Sequence, residues 1–191
     1  MKTRLFAAIA AASLILADGA SAAALKTAVF AGGCFWSIEK AMEAVPGVTS
    51  AVSGYAGGTS TNPTYRNHTG HLEAVRVTYD PAKVSYATLL NQFFRNTDPT
   101  DPNGVICDYG PSYRTAVFVS DAQERQVAET VKAQVAKTLG ANVATTIRGA
   151  APFYEAEGYH QDYAKKNPAD YADYVRRCGR VEGMRAVWGG R

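Results

Sequence analysis

Two hydrophobic rhythms, one of period two and one near 3.6, alternate along this chain from segment to segment. From Val29 to Glu39 a short apolar run ends at Ala31, turns through Gly32 and Gly33, and passes Cys34, Phe35 and Trp36 into helical spacing. This predicts a strand, a glycine turn and an amphipathic helix opening near Phe35 and ended by Pro46 and Gly47. Val48 to Tyr55 reads as a second strand that runs into Gly57 and Gly58. The loop from Thr59 to Gly70 is rich in turn formers, including Asn62, Pro63 and Asn67, yet carries Tyr65 and His68. From Leu72 to Tyr79 alternation puts Glu73 on the same face as Val75, Val77 and Tyr79, so a carboxylate points the apolar way.

Further along, Ser85 is placed to cap a helix with Leu89, Leu90, Phe93 and Phe94 on its inner face, and Asp98, Pro99 and Pro102 end it. A loop from Asp101 to Ser112 holds Cys107, Asp108, Tyr109 and Gly110, and leads into a predicted strand from Tyr113 to Val119. Ser120 and Gln123 stand in capping-box spacing before a helix through Val127, Val131 and Val135 that stops at Leu139, ahead of Gly140. Val143 to Ile147 reads as a last short strand. Phe153 to Arg177 is rich in tyrosine, contains Glu157, His160 and Gln161, and should break its helix near Pro168. The tyrosines read as amphipathic packing.

The N-terminus follows a different pattern. Lys2 and Arg4 precede an apolar run from Leu5 to Leu16, and small residues follow from Ala20 to Ala23. This reads as a secretory signal over residues 1–23, with export to the periplasm expected and cleavage near Ala23 or Ala24. The apolar run falls short of the roughly 20 residues a spanning helix needs, and no later segment resembles one. Residues 24–191 are then one domain large enough to bury a core. Losing Lys2, Arg4 and Asp18 from the 20 basic and 17 acidic residues leaves a nearly neutral chain with scattered cations. That pattern argues against nucleic acid as a partner. The three cysteines are an odd number for an exported chain, so one thiol stays free or pairs transiently. A disulfide scaffold is not expected, and with no close cysteine pair neither is a structural metal.

Cys34 is the candidate nucleophile. At the mouth of a helix its sulfur would lie beside unpaired N–H groups, which favour the thiolate over the ordinary thiol of pKa about 8.5. A buried structural cysteine is the plainer alternative. Cys34, Glu73, Tyr65, Tyr113 and Asp108 all fall at strand ends or in loops, where distant residues can converge on one sheet edge. A soft nucleophile, an acid kept neutral by an apolar face and phenolic donors suit attack on a carbon or sulfur that bears an oxygen. His68, His71 and His160 leave open an extracytoplasmic cysteine hydrolase with a histidine base, and also a metal carrier built on histidines and cysteines.

The run Gly33, Cys34, Phe35, Trp36 resembles the signature of the A-type peptide methionine sulfoxide reductases. Further segments agree in order: Gly54 to Gly58; Asn62 to Tyr65; Gly70, His71 and Glu73 leading to Tyr79, Asp80 and Pro81; Asp108 and Gly110 before Tyr113 and Arg114; and Ala156, Glu157, Tyr159, His160 and Gln161. The resemblance implies a compact α+β domain, with helices flanking a mixed β-sheet. It implies reduction of the S epimer of methionine sulfoxide in oxidised proteins and peptides, with the free amino acid a further candidate substrate. By the same resemblance Cys34 attacks the sulfur, Glu73 protonates the oxygen, Tyr65 and Tyr113 hydrogen-bond it, and Asp108 orders the polar side. Phe35 and Trp36 hold the methyl group. No cofactor or metal is implied, only an external thiol such as thioredoxin or dithiothreitol, and the protein is expected to act as a monomer.

Four departures from the family pattern stand out. Ser37 replaces a usual glycine, the stretch from Tyr65 to Glu73 is short, and Cys107 stands where asparagine is common. The chain ends at Gly190 and Arg191 without the usual cysteine-bearing tail. Either Cys107, next to Asp108, or Cys178, just after the tyrosine-rich helix, is therefore expected to resolve the Cys34 sulfenic acid, with direct attack of the external thiol on that acid as the rival route. Cys178 is favoured, because a chain end moves more readily than a loop held between Pro102 and Pro111.

Overall fold

The computed structural model describes residues 24–189, so the signal assigned to residues 1–23 lies outside the described residues. Strand β1 (Lys26–Ala31) runs into Gly33, whose φ of 80° suits glycine, and a Cβ there would fall 2.7 Å from the Val105 Cβ. Helix α1 (Phe35–Glu43) starts immediately afterwards with Cys34 as its N-cap residue. Strands β2 (Val48–Ala56) and β3 (Leu72–Tyr79) follow. Then comes α2 (Tyr86–Arg95), where the Ser85 side chain accepts the Thr88 N–H as its pattern predicts. A small hairpin, β4 (Gly104–Val105) and β5 (Asp108–Tyr109), precedes a 3₁₀ turn at Pro111–Tyr113. The chain continues through β6 (Ala116–Val119), α3 (Ala122–Leu139), β7 (Thr146–Gly149) and β8 (Phe153–Glu155). Three helices close it: α4 (Tyr163–Lys166), α5 (Pro168–Arg177) and α6 (Arg180–Trp188).

The sheet runs β7-β6-β1-β3-β2-β8, parallel only between β6 and β7, which makes it the mixed sheet of an α+β domain. One face packs Phe30, Val75, Val77 and Tyr79 against Ile38 and Met42 of α1, Leu89, Phe93 and Phe94 of α2, and Val131 and Val135 of α3. Each such side chain contributes about 1.5–3 kcal/mol by leaving water. This core fixes α1 across the sheet, and so fixes where Cys34 stands relative to β3. Among the described residues no helix is long and apolar enough to cross a membrane.

Several boundaries differ from the sequence pattern for identifiable reasons. Tyr113 lies in the 3₁₀ turn and not in the strand, because Pro111 starts that turn and β6 begins only at Ala116. The cap of α3 is Asp121, which accepts the Glu124 N–H at 2.7 Å while Glu124 reaches back to the Ser120 N–H, so the box sits one residue later than Ser120 and Gln123 suggest. The predicted strand at Val143 to Ile147 pairs only from Thr146. Pro168 does break the helix pattern, but it does so by opening α5 at its first position. Helix α6 is not loose. Trp188 of α6 is buried and donates to the Thr97 carbonyl at 3.1 Å, and Arg180 donates to the Asn96 carbonyl at 2.8 Å.

Candidate active site

The α1 N-terminus and the β3 start meet through one bond: the Phe35 N–H donates to Glu73 Oε2 at 3.0 Å. Glu73 is only 2% exposed, so the face assigned by alternation is the buried one, and Tyr55 sits opposite it on β2. Burial pushes its carboxyl up to about 8, against the Phe35 N–H that favours the charged form, and Asp108 adds to the rise. It therefore carries a proton at neutral pH.

Cys34 is 6% exposed and is the free thiol. Its environment does not favour the thiolate in the way the helix mouth suggests. Burial first, then the charges of Glu73 and Asp108, push the thiol up to about 12, while Tyr174 and Arg180 pull the other way. The local reason is visible in the bonding. The first N–H of α1 goes to the Glu73 carboxyl, and the Ser37 N–H goes to the Cys34 carbonyl, so neither turns to the sulfur.

Asp108 of β5 lies on the other side. Its carboxylate accepts the Tyr174 hydroxyl at 2.7 Å and faces Arg180 Nη1 at 3.7 Å. Burial nevertheless keeps its carboxyl above the ordinary carboxylate range. Tyr65 and Tyr113 both lie within the field of Glu73 and Cys34, with burial holding each above the usual phenol range. The structure thus brings Cys34, Glu73, Tyr65, Tyr113 and Asp108 together from five segments. Tyr65 is 39% exposed, the open edge of the group, and its N–H is fixed by Glu157 Oε1 at 2.9 Å.

Of the two aromatics, Phe35 is buried in the core against Tyr55 and His160. Trp36 is half-buried, donates Nε1–H to His160 Nδ1 at 3.1 Å and stacks on Tyr163 at 3.8 Å between centroids. Ser37, the departure from the family glycine, accepts the Tyr171 hydroxyl at 3.2 Å. Sequence reasoning missed Tyr174 and Arg180 as neighbours of Cys34. Tyr171, Tyr174 and Cys178 stand at helical spacing on one face, and that regularity is the signal that could have drawn them in.

The structure joins Cys107 and Cys178 to each other, with an S–S distance of 2.03 Å and Cα atoms 5.2 Å apart. The odd cysteine count correctly leaves one thiol free. The expectation of a chain without a structural bridge is corrected, since a sequence separation of 71 concealed a pair that the β4–β5 hairpin and the end of α5 bring into contact.

The histidines are engaged elsewhere. His71 bonds Gly58 and Ser60, His68 faces the Thr64 carbonyl, and His160 accepts from Trp36, so among the described residues no histidine nitrogen bonds the Cys34 sulfur. A hydrolase would lack its base. Nor do histidines gather for a carrier: the grouping of possible metal donors found among the described residues is Cys107, Asp108 and Cys178, two of which are the bridge.

A sequence profile described as peptide methionine sulfoxide reductase matches residues 26–190. The chain is 52% identical to peptide methionine sulfoxide reductase MsrA 2 of Caulobacter vibrioides, over 98% of this chain and 99% of that one. It is 45% identical to MsrA 2 of Rhizobium meliloti, over 90% and 88%. Among solved structures it resembles Mxr1 from Saccharomyces cerevisiae in reduced form, with a TM-score of 0.72 and 29% identity over 76% of this chain and 87% of that one. That yeast protein has also been solved in complex with Trx2.

Proposed function

Because the chain belongs to the peptide methionine sulfoxide reductase family, we propose that it reduces methionine S-sulfoxide in proteins and peptides through attack by Cys34. The observation that carries this is a single free thiol flanked by a buried carboxyl that is protonated near pH 7 and bonded to the next residue's N–H. Cys34 forms a bond to the sulfoxide sulfur while Glu73 gives its proton to the oxygen. Tyr65 and Tyr113 hydrogen-bond that oxygen as charge builds on it. Phe35 and Trp36 border the methyl group, and Asp108 orders the polar side. The substrate S–O bond then breaks, the hydroxyl passes to the Cys34 sulfur, and the S–S bond breaks with its electron pair going to methionine, which leaves Cys34 as a sulfenic acid.

No cofactor takes part, since the two electrons come from the cysteine. A thiol must return them. Cys107 and Cys178 stand as a pair that can receive the oxidation from Cys34 and pass it, as their disulfide, to an external dithiol of the thioredoxin type. Free methionine sulfoxide is a second substrate of the same site. One chain supplies every group named, which supports action as a monomer. Export to the periplasm is supported by the basic and apolar start of the chain and by a bridge suited to an oxidising compartment.

A turnover assay with resolved sulfoxide epimers and dithiothreitol tests the reading. Methionine is expected from the S epimer alone. Release from the R epimer only, or from neither, would overturn it.

A further inference from the structure

The Cys107–Cys178 bridge brings more than two sulfurs together. The Cys107 and Cys178 sulfurs and one carboxylate oxygen of Asp108 all lie within 4.8 Å of one another, gathered from the β4–β5 hairpin and the end of α5. The Cys107 sulfur stands 3.7 Å from Asp108 Oδ1. The other oxygen, Oδ2, is already engaged: it accepts the Tyr174 hydroxyl at 2.7 Å and faces Arg180 Nη1 at 3.7 Å. That division leaves Oδ1 for the sulfur side. Cys107 is exposed and Cys178 half-buried, so the group opens to solvent.

We propose that Cys107, Cys178 and Asp108 form a binding site for a soft divalent cation of the zinc type, available only while the bridge is reduced. An external dithiol exchanges the Cys107–Cys178 bond for a disulfide of its own and leaves two thiols on this chain. The ion then displaces their two protons and is held by two thiolates and the carboxylate, with water as the fourth ligand. Nothing is oxidised or reduced in that second step. A tetrahedral centre with Zn–S of about 2.3 Å and Zn–O of about 2.0 Å sets its sulfurs about 3.8 Å apart and each sulfur about 3.5 Å from the oxygen. The distance from Cys107 to Oδ1 is close to that already. The sulfurs, 2.03 Å apart when bonded, must separate by about 1.8 Å to reach that spacing, which side-chain rotation supplies while the Cα atoms stay 5.2 Å apart.

The surroundings suit a divalent ion. Two thiolates and a carboxylate carry three negative charges, and such an ion together with the buried Arg180 guanidinium brings three positive ones. Thiolate ligands select zinc and its soft congeners over calcium and magnesium, which take oxygen ligands. The Tyr174 hydroxyl fixes the carboxylate from behind, as the hydrogen-bond partners of metal ligands commonly do, and the Cys178 N–H bonds the Tyr174 carbonyl at 2.9 Å, so ligand and support sit on one turn of α5. Cys34 is not part of the group. An ion held there would keep both sulfurs from the Cys34 sulfenic acid and so stop recycling after the first turnover, a consequence that alone rests on the reductase reading.

The test reads binding and not turnover. The full chain, reduced with a phosphine that does not compete for the ion as a dithiol would, is titrated with zinc chloride by calorimetry and with cobalt(II) as the spectroscopic probe. One ion per reduced chain is expected, with the visible bands and sulfur-to-cobalt charge transfer of a tetrahedral thiolate site, and none for the chain whose bridge is intact. Tyr174→Phe should weaken binding by about 10–100-fold, the usual cost of removing a group that orients a ligand. Cys107→Ser and Cys178→Ser should each weaken it further and lower the charge transfer, whereas Cys34→Ser should bind as the parent does. Equal affinity of the reduced and bridged chains, or a cobalt spectrum without thiolate charge transfer, would overturn the proposal. So would binding that survives Cys178→Ser and is lost in Cys34→Ser. The first two outcomes are read on the parent alone, so a variant that fails to fold does not decide the matter. A chain that binds the ion yet releases no methionine in the epimer assay would fail the reductase reading and leave this site standing.

Discussion

At the scale of single residues the site turns on two groups whose protonation runs against their ordinary habits, a cysteine held as thiol and a glutamate held as acid. Cys34→Ser should abolish reduction, because an alkoxide is scarcely populated at neutral pH and oxygen is a poor nucleophile toward sulfur. Retained methionine release would remove Cys34 from the reaction. Glu73→Gln should lower the rate at least about a hundredfold, the low end for a positioned acid. The parent's rate should fall as pH rises through about 8, where Glu73 loses the proton it must give, and that limb should be missing in the variant. A pH–rate profile of both proteins checks this. Identical limbs would assign the acid elsewhere. The buried face of Glu73 was legible in the sequence because alternation of period two fixes a side chain's face. The protonation of Cys34 was not, since it depends on Asp108, Tyr174 and Arg180 from three other elements and on an N–H that goes to Glu73.

At the scale of elements, α1 carries more than the nucleophile. Glu39, one turn beyond Phe35, is 2% exposed, and its Oε2 accepts the Asp162 N–H at 3.1 Å. Asp162 has φ 55°, a left-handed conformation, just after His160, which receives the Trp36 N–H. Glu39 thus ties the aromatic side of the site to the segment before α4. Burial, with the charges of Glu43 and Asp162 added, raises its carboxyl to about 7. A raised acid favours the folded state fully below its unfolded value and loses that advantage as pH climbs through about 7. Glu39→Gln keeps an acceptor for Asp162 and offers an amide to Ser53, so it should be near-neutral at pH 5 and stabilising by about 1–3 kcal/mol at pH 8. Urea unfolding at the two pH values measures it, and an equal loss of stability at both would refute it. The long periodic elements β3, α2 and α3 could be read directly from the chain. The strand β8, three residues long, and the hairpin β4–β5 could not, because their pairing comes from distant partners and leaves no local period. Helix α6 lacked a clear apolar stripe, and it docks mainly through Trp188 and Arg180.

At the scale of the whole molecule the oxidation must travel, and the bridge between the hairpin and α5 fits one stage of such a path. A chain with three thiols can perform a defined number of reductions before it needs an external thiol. The first attack leaves a sulfenic acid on Cys34. Cys107 is one residue from Asp108, whose charge acts on Cys34, so Cys107 is the sulfur we expect to condense with it, releasing water and forming a Cys34–Cys107 disulfide. Cys178 then attacks the Cys107 sulfur, producing the bond seen in the structure and returning Cys34 as a thiol. Cys34 is now free to reduce a second sulfoxide. Fully reduced protein mixed with excess S-sulfoxide and no reductant should therefore release roughly two methionines per chain, against roughly one for Cys178→Ser, whose path ends at Cys34–Cys107. Quenched-flow quantification of methionine, with mass spectrometry of the trapped chains, reads both numbers and both crosslinks. In the parent the expected end state is a Cys107–Cys178 bridge with an oxidised Cys34. A burst of one methionine, with sulfenic acid on Cys34 and the other two thiols still reduced, would show that the bridge lies off the catalytic path. A Cys34–Cys178 crosslink in a Cys107→Ser chain that recycles as fast as the parent would instead make Cys178 the first sulfur to respond.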